Sequence, residues 1–142
     1  YLAEELKMIT GIHTARLPEN SKAAWHLFPL RFDAEQFSGM TKQQFMTALR
    51  AEGISCDGGY HEQYFDGLID EALESRGYKR LFSANRIKKY RDSLHELKGN
   101  KIVCESSFAF LQYMLLGDKN DMNDIVAAIQ KIQKHSSEIV KA

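Results

Sequence analysis

Cys56, Asp57 and His61 fall within six residues of one another around the pair Gly58-Gly59. A thiol, a carboxylate and an imidazole on a glycine turn are the groups that a metal ion or a nucleophilic site would use. The set is incomplete for either. No second His or Cys pair stands at zinc-like spacing, and no third side chain in sequence is identifiable to orient the imidazole for attack by Cys56. No metal site and no catalytic residue is therefore expected in this chain. His26 is the second histidine of interest. Period-two alternation sets it among Ala24, Phe28 and Leu30, so the residues alone favour a buried core histidine over a ligand-facing one. Tyr60, beside the glycine pair, reads as an ordinary turn aromatic. The patterns GxGxxG, GxxxxGK[ST], HExxH and GxSxG are all absent, which closes the motif routes to dinucleotide, phosphate, zinc and acyl-transfer chemistry.

Composition narrows the setting. The 142 residues are 44% hydrophobic and 27% charged, as in an ordinary globular domain, and one domain over 1–142 is expected. Nineteen basic and nineteen acidic side chains cancel, leaving no global field for phosphate backbones or an anionic membrane, so neither nucleic acid nor membrane is expected as a partner. Arg86, Lys88, Lys89 and Arg91 read as a solvated helix face. The apolar stretch 108–116 is interrupted by Gln112 and is far shorter than the roughly 20 residues of a spanning helix. Two cysteines, Cys56 and Cys104, make no CxxC pair, which suits a reduced, cytoplasmic protein. The chain opens on Tyr1 inside a helical pattern, and a segment of something longer is expected.

The elements follow from periodicity. Leu2, Leu6 and Ile9 mark the end of a helix that should stop at Gly11. Residues 24–32 form the clearest strand, with Pro29 expected on an edge or at a bulge. Thr41 and Gln44 make a capping box, with Met40 and Phe45 as its staple, and the helix they start should end near Gly53. A short strand over 54–57 follows. Helices are expected between Phe65 and Gly77 and again through Ile87, Tyr90, Leu94 and Leu97 to Gly99, then a buried strand at Ser107–Leu111. Met122, Ile125, Val126, Ile129 and Ile132 trace the last helix, with Asp118, Asp121 and Asp124 at its start and Lys131, Lys134 and His135 at its end. The predicted class is α+β: a small antiparallel sheet of about three strands packed against helices.

Several of these segments also resemble a known family in order and spacing. They are Ala24-Trp-His-Leu-Phe28, the stretch from Thr41 to Ile54, Gly58-Gly-Tyr-His61, and Leu115-Leu-Gly-Asp-Lys-Asn-Asp-Met122 followed by Ile125-Val-Ala-Ala-Ile129. Together they resemble the C-terminal domain of the DegT/DnrJ/StrS aminotransferases, which act on sugars and cyclitols with pyridoxal phosphate. The last block is most similar to glutamine:scyllo-inositol aminotransferase-like members. The resemblance implies a small domain of the fold-type I aminotransferases, with 1–12 as the end of an interdomain helix and 22–142 as the domain itself. It implies a preceding large domain that carries the cofactor lysine, the aspartate for the pyridine nitrogen and the phosphate cup, so that pyridoxal phosphate belongs to the parent enzyme and none is expected on this segment.

The parent would form a homodimer and transfer an amino group from glutamine or glutamate to a keto sugar or keto cyclitol, and the segment alone would be inactive. His26, Tyr60 and His61 are the residues the resemblance assigns to the acceptor-substrate side. The family's loop commonly reads HYxPxH, and Gly58-Gly-Tyr-His-Glu-Gln-Tyr64 lacks its proline; residues 62–98 match no block and read as a variable insertion. The competing expectation is a free-standing α+β interaction module without catalysis, its partner surface being the face a large domain would otherwise cover.

Overall fold

The computed structural model describes residues 1–141. They form helices α1 (Leu2–Leu6), α2 (Lys42–Ala51), α3 (Leu68–Glu74), α4 (Arg76–Leu81), α5 (Ala84–Ser93), α6 (Lys98–Ser106), α7 (Lys119–Lys134) and α8 (Ser136–Ile139). The strands are β1 (Ile12–Thr14), β2 (Leu27–Phe32) and β3 (Ser107–Leu111). The class is α+β, with one three-stranded antiparallel sheet in the order β1-β2-β3. The chain divides into two compact units, the first running from Tyr1 to Gly59 and resuming at Ser106, the second spanning Tyr60–Glu105.

In the first unit the sheet is built around β2. Phe28, Leu30 and Phe32 alternate onto its buried face, and Phe108 and Phe110 of β3 lie beside them. Helix α2 begins where the capping box requires. The Thr41 hydroxyl accepts from the Gln44 N–H at 3.2 Å while the Gln44 side chain accepts from the Thr41 N–H at 3.0 Å. It ends in a Schellman motif, with Gly53 N–H donating to Arg50 C=O and Ile54 N–H to Leu49 C=O, both at 3.0 Å. Gly53 supplies the left-handed backbone (φ +83°), and Ile54 and Leu49 are both buried. Helix α7 begins with a second box, in which Asp118 accepts from the N–H groups of Asn120 and Asp121 and Asp121 accepts from that of Asp118. Its apolar stripe buries Met122, Ile125, Val126, Ile129 and Ile132.

Phe45 of α2 joins the layers. Its ring stacks on Phe32 (centroids 4.6 Å apart) and meets Phe37 and Phe108 edge-on at 5.3 and 5.2 Å. Such pairs add roughly 0.5–1.5 kcal/mol each beyond simple burial.

Three expectations are corrected. The first helix stops at Leu6, and Ile12 begins β1 rather than ending a helix. Gly11 is indeed left-handed (φ +89°), but the turn it permits leads into a strand, and its carbonyl accepts from Asp33 N–H at 2.8 Å. Residues 54–57 make only a single bridge, in which Asp57 and Ala109 exchange two 2.9 Å hydrogen bonds. Pro29 lies in the central strand but, as expected, at a local edge. It still lacks no ladder bond, because the pleat aims its nitrogen toward β1, which has ended at Thr14, opposite Leu30. Finally, Gly99 lies inside α6 and stops nothing.

The second unit is a set of short helices. The helix expected between Phe65 and Gly77 is α3, and it ends at Glu74 because Ser75 is extended and caps α4, its hydroxyl accepting from Tyr78 N–H. Ser83 caps α5 in the same way. Arg91 binds the elements together: it donates to Asp70 of α3 at 2.8 Å and to Tyr64 C=O at 3.1 Å, and lies over the Phe65 ring. Leu73 and Leu94 are its buried apolar side chains.

Candidate functional site

In the first unit a shallow cleft of about 480 Å³ opens where β2 and β3 separate. The last ladder pair is Leu27 with Leu111, and Gln112 N–H reaches His26 C=O at 3.3 Å just beyond it. The two chains then diverge, β3 turning into a 3-10 helix over Gln112–Leu115. Trp25 packs edge-on against Phe28, with ring centroids 5.0 Å apart. The walls are Ala24, Trp25 and His26 on one side and Gln112, Leu115 and Leu116 on the other.

The position of His26 departs from the alternation argument. The strand begins at Leu27, so His26 lies outside the pleat and is exposed, and the core-histidine reading is excluded. An exposed imidazole and an exposed carboxamide over an indole and two leucines can exchange hydrogen bonds with an uncharged, hydroxyl-bearing ligand while its apolar edges rest on the floor. Gln112, Leu115 and Leu116 were not singled out from sequence as site residues. The polar interruption at Gln112 within the apolar stretch was the available signal.

Tyr60 and His61 open the second unit. Tyr60 is 63% exposed, and the His61 imidazole is hydrogen-bonded to the Asp66 carboxylate. Cys56 belongs to the first unit and is buried there. The turn that follows it is held from α2, Arg50 donating to Cys56 C=O at 2.9 Å and Lys42 to Gly58 C=O at 3.1 Å. The Asp57 carboxylate is used within the turn, accepting from Gly59 N–H at 2.8 Å. Among the described residues no group of three or more His, Cys, Asp or Glu side chains is placed to hold a metal ion. No helix among them is long and apolar enough to cross a membrane.

Burial pushes the Cys56 thiol above its ordinary pKa, with the Sγ–H directed at Met46 C=O (3.8 Å). A raised folded-state value means that the folded chain keeps a proton the unfolded chain gives up. This contribution to stability is complete below the unfolded thiol's pKa of about 8.5 and is lost as pH rises through the folded value. Cys56 is accordingly expected to resist iodoacetamide at pH 7 to 8 and to be labelled only in denaturant. Peptide mapping of the alkylated protein checks this, and prompt labelling of the folded chain would contradict it.

Pyridoxal phosphate requires an amine for its aldehyde, an acid for its pyridine nitrogen and donors for its phosphate. The His26 cleft lining offers neither amine nor carboxylate, so the cofactor does not fit there. No protein-family model matches the chain, and no curated protein is significantly similar to it.

Proposed function

We propose that this chain is the acceptor-binding small domain of a pyridoxal-phosphate-dependent aminotransferase resembling the DegT/DnrJ/StrS enzymes, acting on a keto sugar or keto cyclitol. The observation that supports the reading is the make-up of the His26 cleft. Two of the resembling blocks, distant in sequence, furnish its walls: Ala24, Trp25 and His26 from one, Leu115 and Leu116 from the other. The segment that matches no block, 62–98, falls wholly inside the second compact unit. A neutral polar rim on an apolar floor suits a polyol ring better than an anion or a cation. In this role His26 holds an acceptor hydroxyl and Trp25 supports the ring's apolar face. Glutamine or glutamate as amino donor, Tyr60 and His61 as further acceptor contacts, and a homodimeric parent belong to the same proposal.

The test is the natural gene. Its complete polypeptide should include a lysine-bearing domain ahead of Tyr1, take up pyridoxal phosphate with visible absorption at about 420 nm, and aminate a keto cyclitol or keto sugar at the expense of glutamine or glutamate. A complete polypeptide that begins at Tyr1 or binds no pyridoxal phosphate overturns the reading. In the active parent, His26→Ala should lower kcat/KM for the acceptor about three- to tenfold, the worth of one hydrogen bond, without moving the melting temperature. Unchanged kinetics would remove His26 from the site.

The exposure of Leu68, Leu81 and Ile102 in the second unit favours a second reading, a non-catalytic interaction module. It predicts a complete protein without aminotransferase activity whose partner shields these side chains from solvent.

A further inference from the structure

The neutral total conceals a local imbalance. Residues 76–91 hold seven of the nineteen basic side chains and none of the nineteen acidic ones, with Tyr78, Phe82 and Tyr90 interleaved. The helices α4 and α5 that carry them are joined at Phe82 and Ser83 and present two faces of different character. On one, the cations are neutralised within the unit: Lys79 pairs with Glu74, Lys88 with Asp92 and Arg91 with Asp70. The other is a groove of about 660 Å³ lined by Tyr78, Phe82, Asn85, Arg86, Lys89 and Tyr90. Its lining holds no carboxylate. Among the described residues none forms an ion pair with Arg86 or Lys89, and the Arg86 guanidinium lies over the Phe82 ring, 5.5 Å from its centroid. All three aromatic side chains are exposed.

Uncompensated cations next to exposed ring faces in a concave surface are what a single-stranded nucleic acid requires. Phosphates pair with the cations, and bases stack on aromatic rings and guanidinium planes irrespective of sequence. A membrane surface would favour a convex apolar ridge flanked by lysines over a groove. An acidic peptide would use the charges and leave the ring faces idle. We propose that the α4–α5 groove binds single-stranded nucleic acid, with Arg86 and Lys89 on consecutive phosphates, and Tyr78 and Tyr90 with the Arg86–Phe82 stack on the bases. The proposal is independent of the aminotransferase reading, since every residue it uses lies within the second unit.

The test is fluorescence anisotropy of the whole chain with labelled oligo-dT and oligo-rU of about eight nucleotides, within the range of sites covered by single-strand binding modules. Binding is expected below about 100 µM protein and should weaken about sevenfold between roughly 50 and 200 mM salt, the slope for two phosphate contacts. Tyr90→Ala should weaken it at least about fivefold at constant salt, and the pair Arg86→Gln with Lys89→Gln should abolish most of the salt dependence. Lys88→Gln, on the neutralised face, should leave affinity within about twofold. Circular dichroism of each variant verifies that the fold is retained. The proposal is overturned by absence of binding, by binding that Tyr90→Ala leaves unchanged, or by a preference for phosphatidylserine vesicles over either oligonucleotide.

Discussion

Phe45→Ala is expected to destabilise the first unit by about 3–5 kcal/mol, the usual range for deleting a buried phenyl ring. Phe45 has no solvent exposure and touches aromatic rings from three other segments, Phe32 in β2, Phe37 in the turn after it and Phe108 in β3. Its removal leaves a cavity within the core cluster that helix and sheet side chains build together. The rings around it come from elements fixed by hydrogen bonds, so little collapse can fill the space. In thermal unfolding followed by circular dichroism, the transition of the first unit should fall by more than about 10 °C. Phe45→Leu, which retains most of the volume, should recover more than half of the loss. A drop of less than 3 °C for the alanine variant would show that the aromatic cluster is not the centre of the core.

Gly11→Ala should destabilise the first unit by about 2–4 kcal/mol. Two effects combine at this position. The backbone is left-handed (φ +89°), which costs an L-residue roughly 1–2 kcal/mol. An added Cβ would also lie 2.5 Å from the Gln36 Cβ and 3.2 Å from the Phe37 ring, an overlap that can be relieved only by moving the turn. Gly53→Ala separates the two effects. Gly53 is equally left-handed (φ +83°) but has nothing within 4 Å of its would-be Cβ, so it should lose only the conformational part, about 1–2 kcal/mol. Chemical denaturation of both variants measures the difference. Equal losses would mean that the close approach to Gln36 is relaxed without cost.

The helices and strands most fully legible in the sequence are those with two independent local signals. Helix α2 combines a capping box with an apolar stripe, α7 an apolar stripe with acidic residues at its start and basic ones at its end, and β2 aromatic residues with alternation. Single signals served unevenly: the apolar run Ser107–Leu111 is β3 with its expected bounds, whereas two glycines misled. Gly11 and Gly99 are both glycines at the end of an apolar pattern; one makes a turn into β1 and the other lies within α6, and nothing local separates them. The three-residue β1 is defined by its pairing with β2, a contact between segments that no short window contains. The same limit applies to the cleft. His26 and Gln112 are 86 positions apart, and what joins them is the end of the β2–β3 ladder. Alternation extended one step past that end gives a buried histidine where the structure has an exposed one.

The paired hydrogen bonds between Asp57 and Ala109 bring together the backbone on either side of the second unit. The first unit thereby closes the loop with its own bonds, whatever lies between. Once the ends of an insertion are pinned, each doubling of its length adds only about 0.6 kcal/mol of closure entropy. The first unit can therefore accept a longer or shorter segment between Asp57 and Ala109 at little cost in closure entropy.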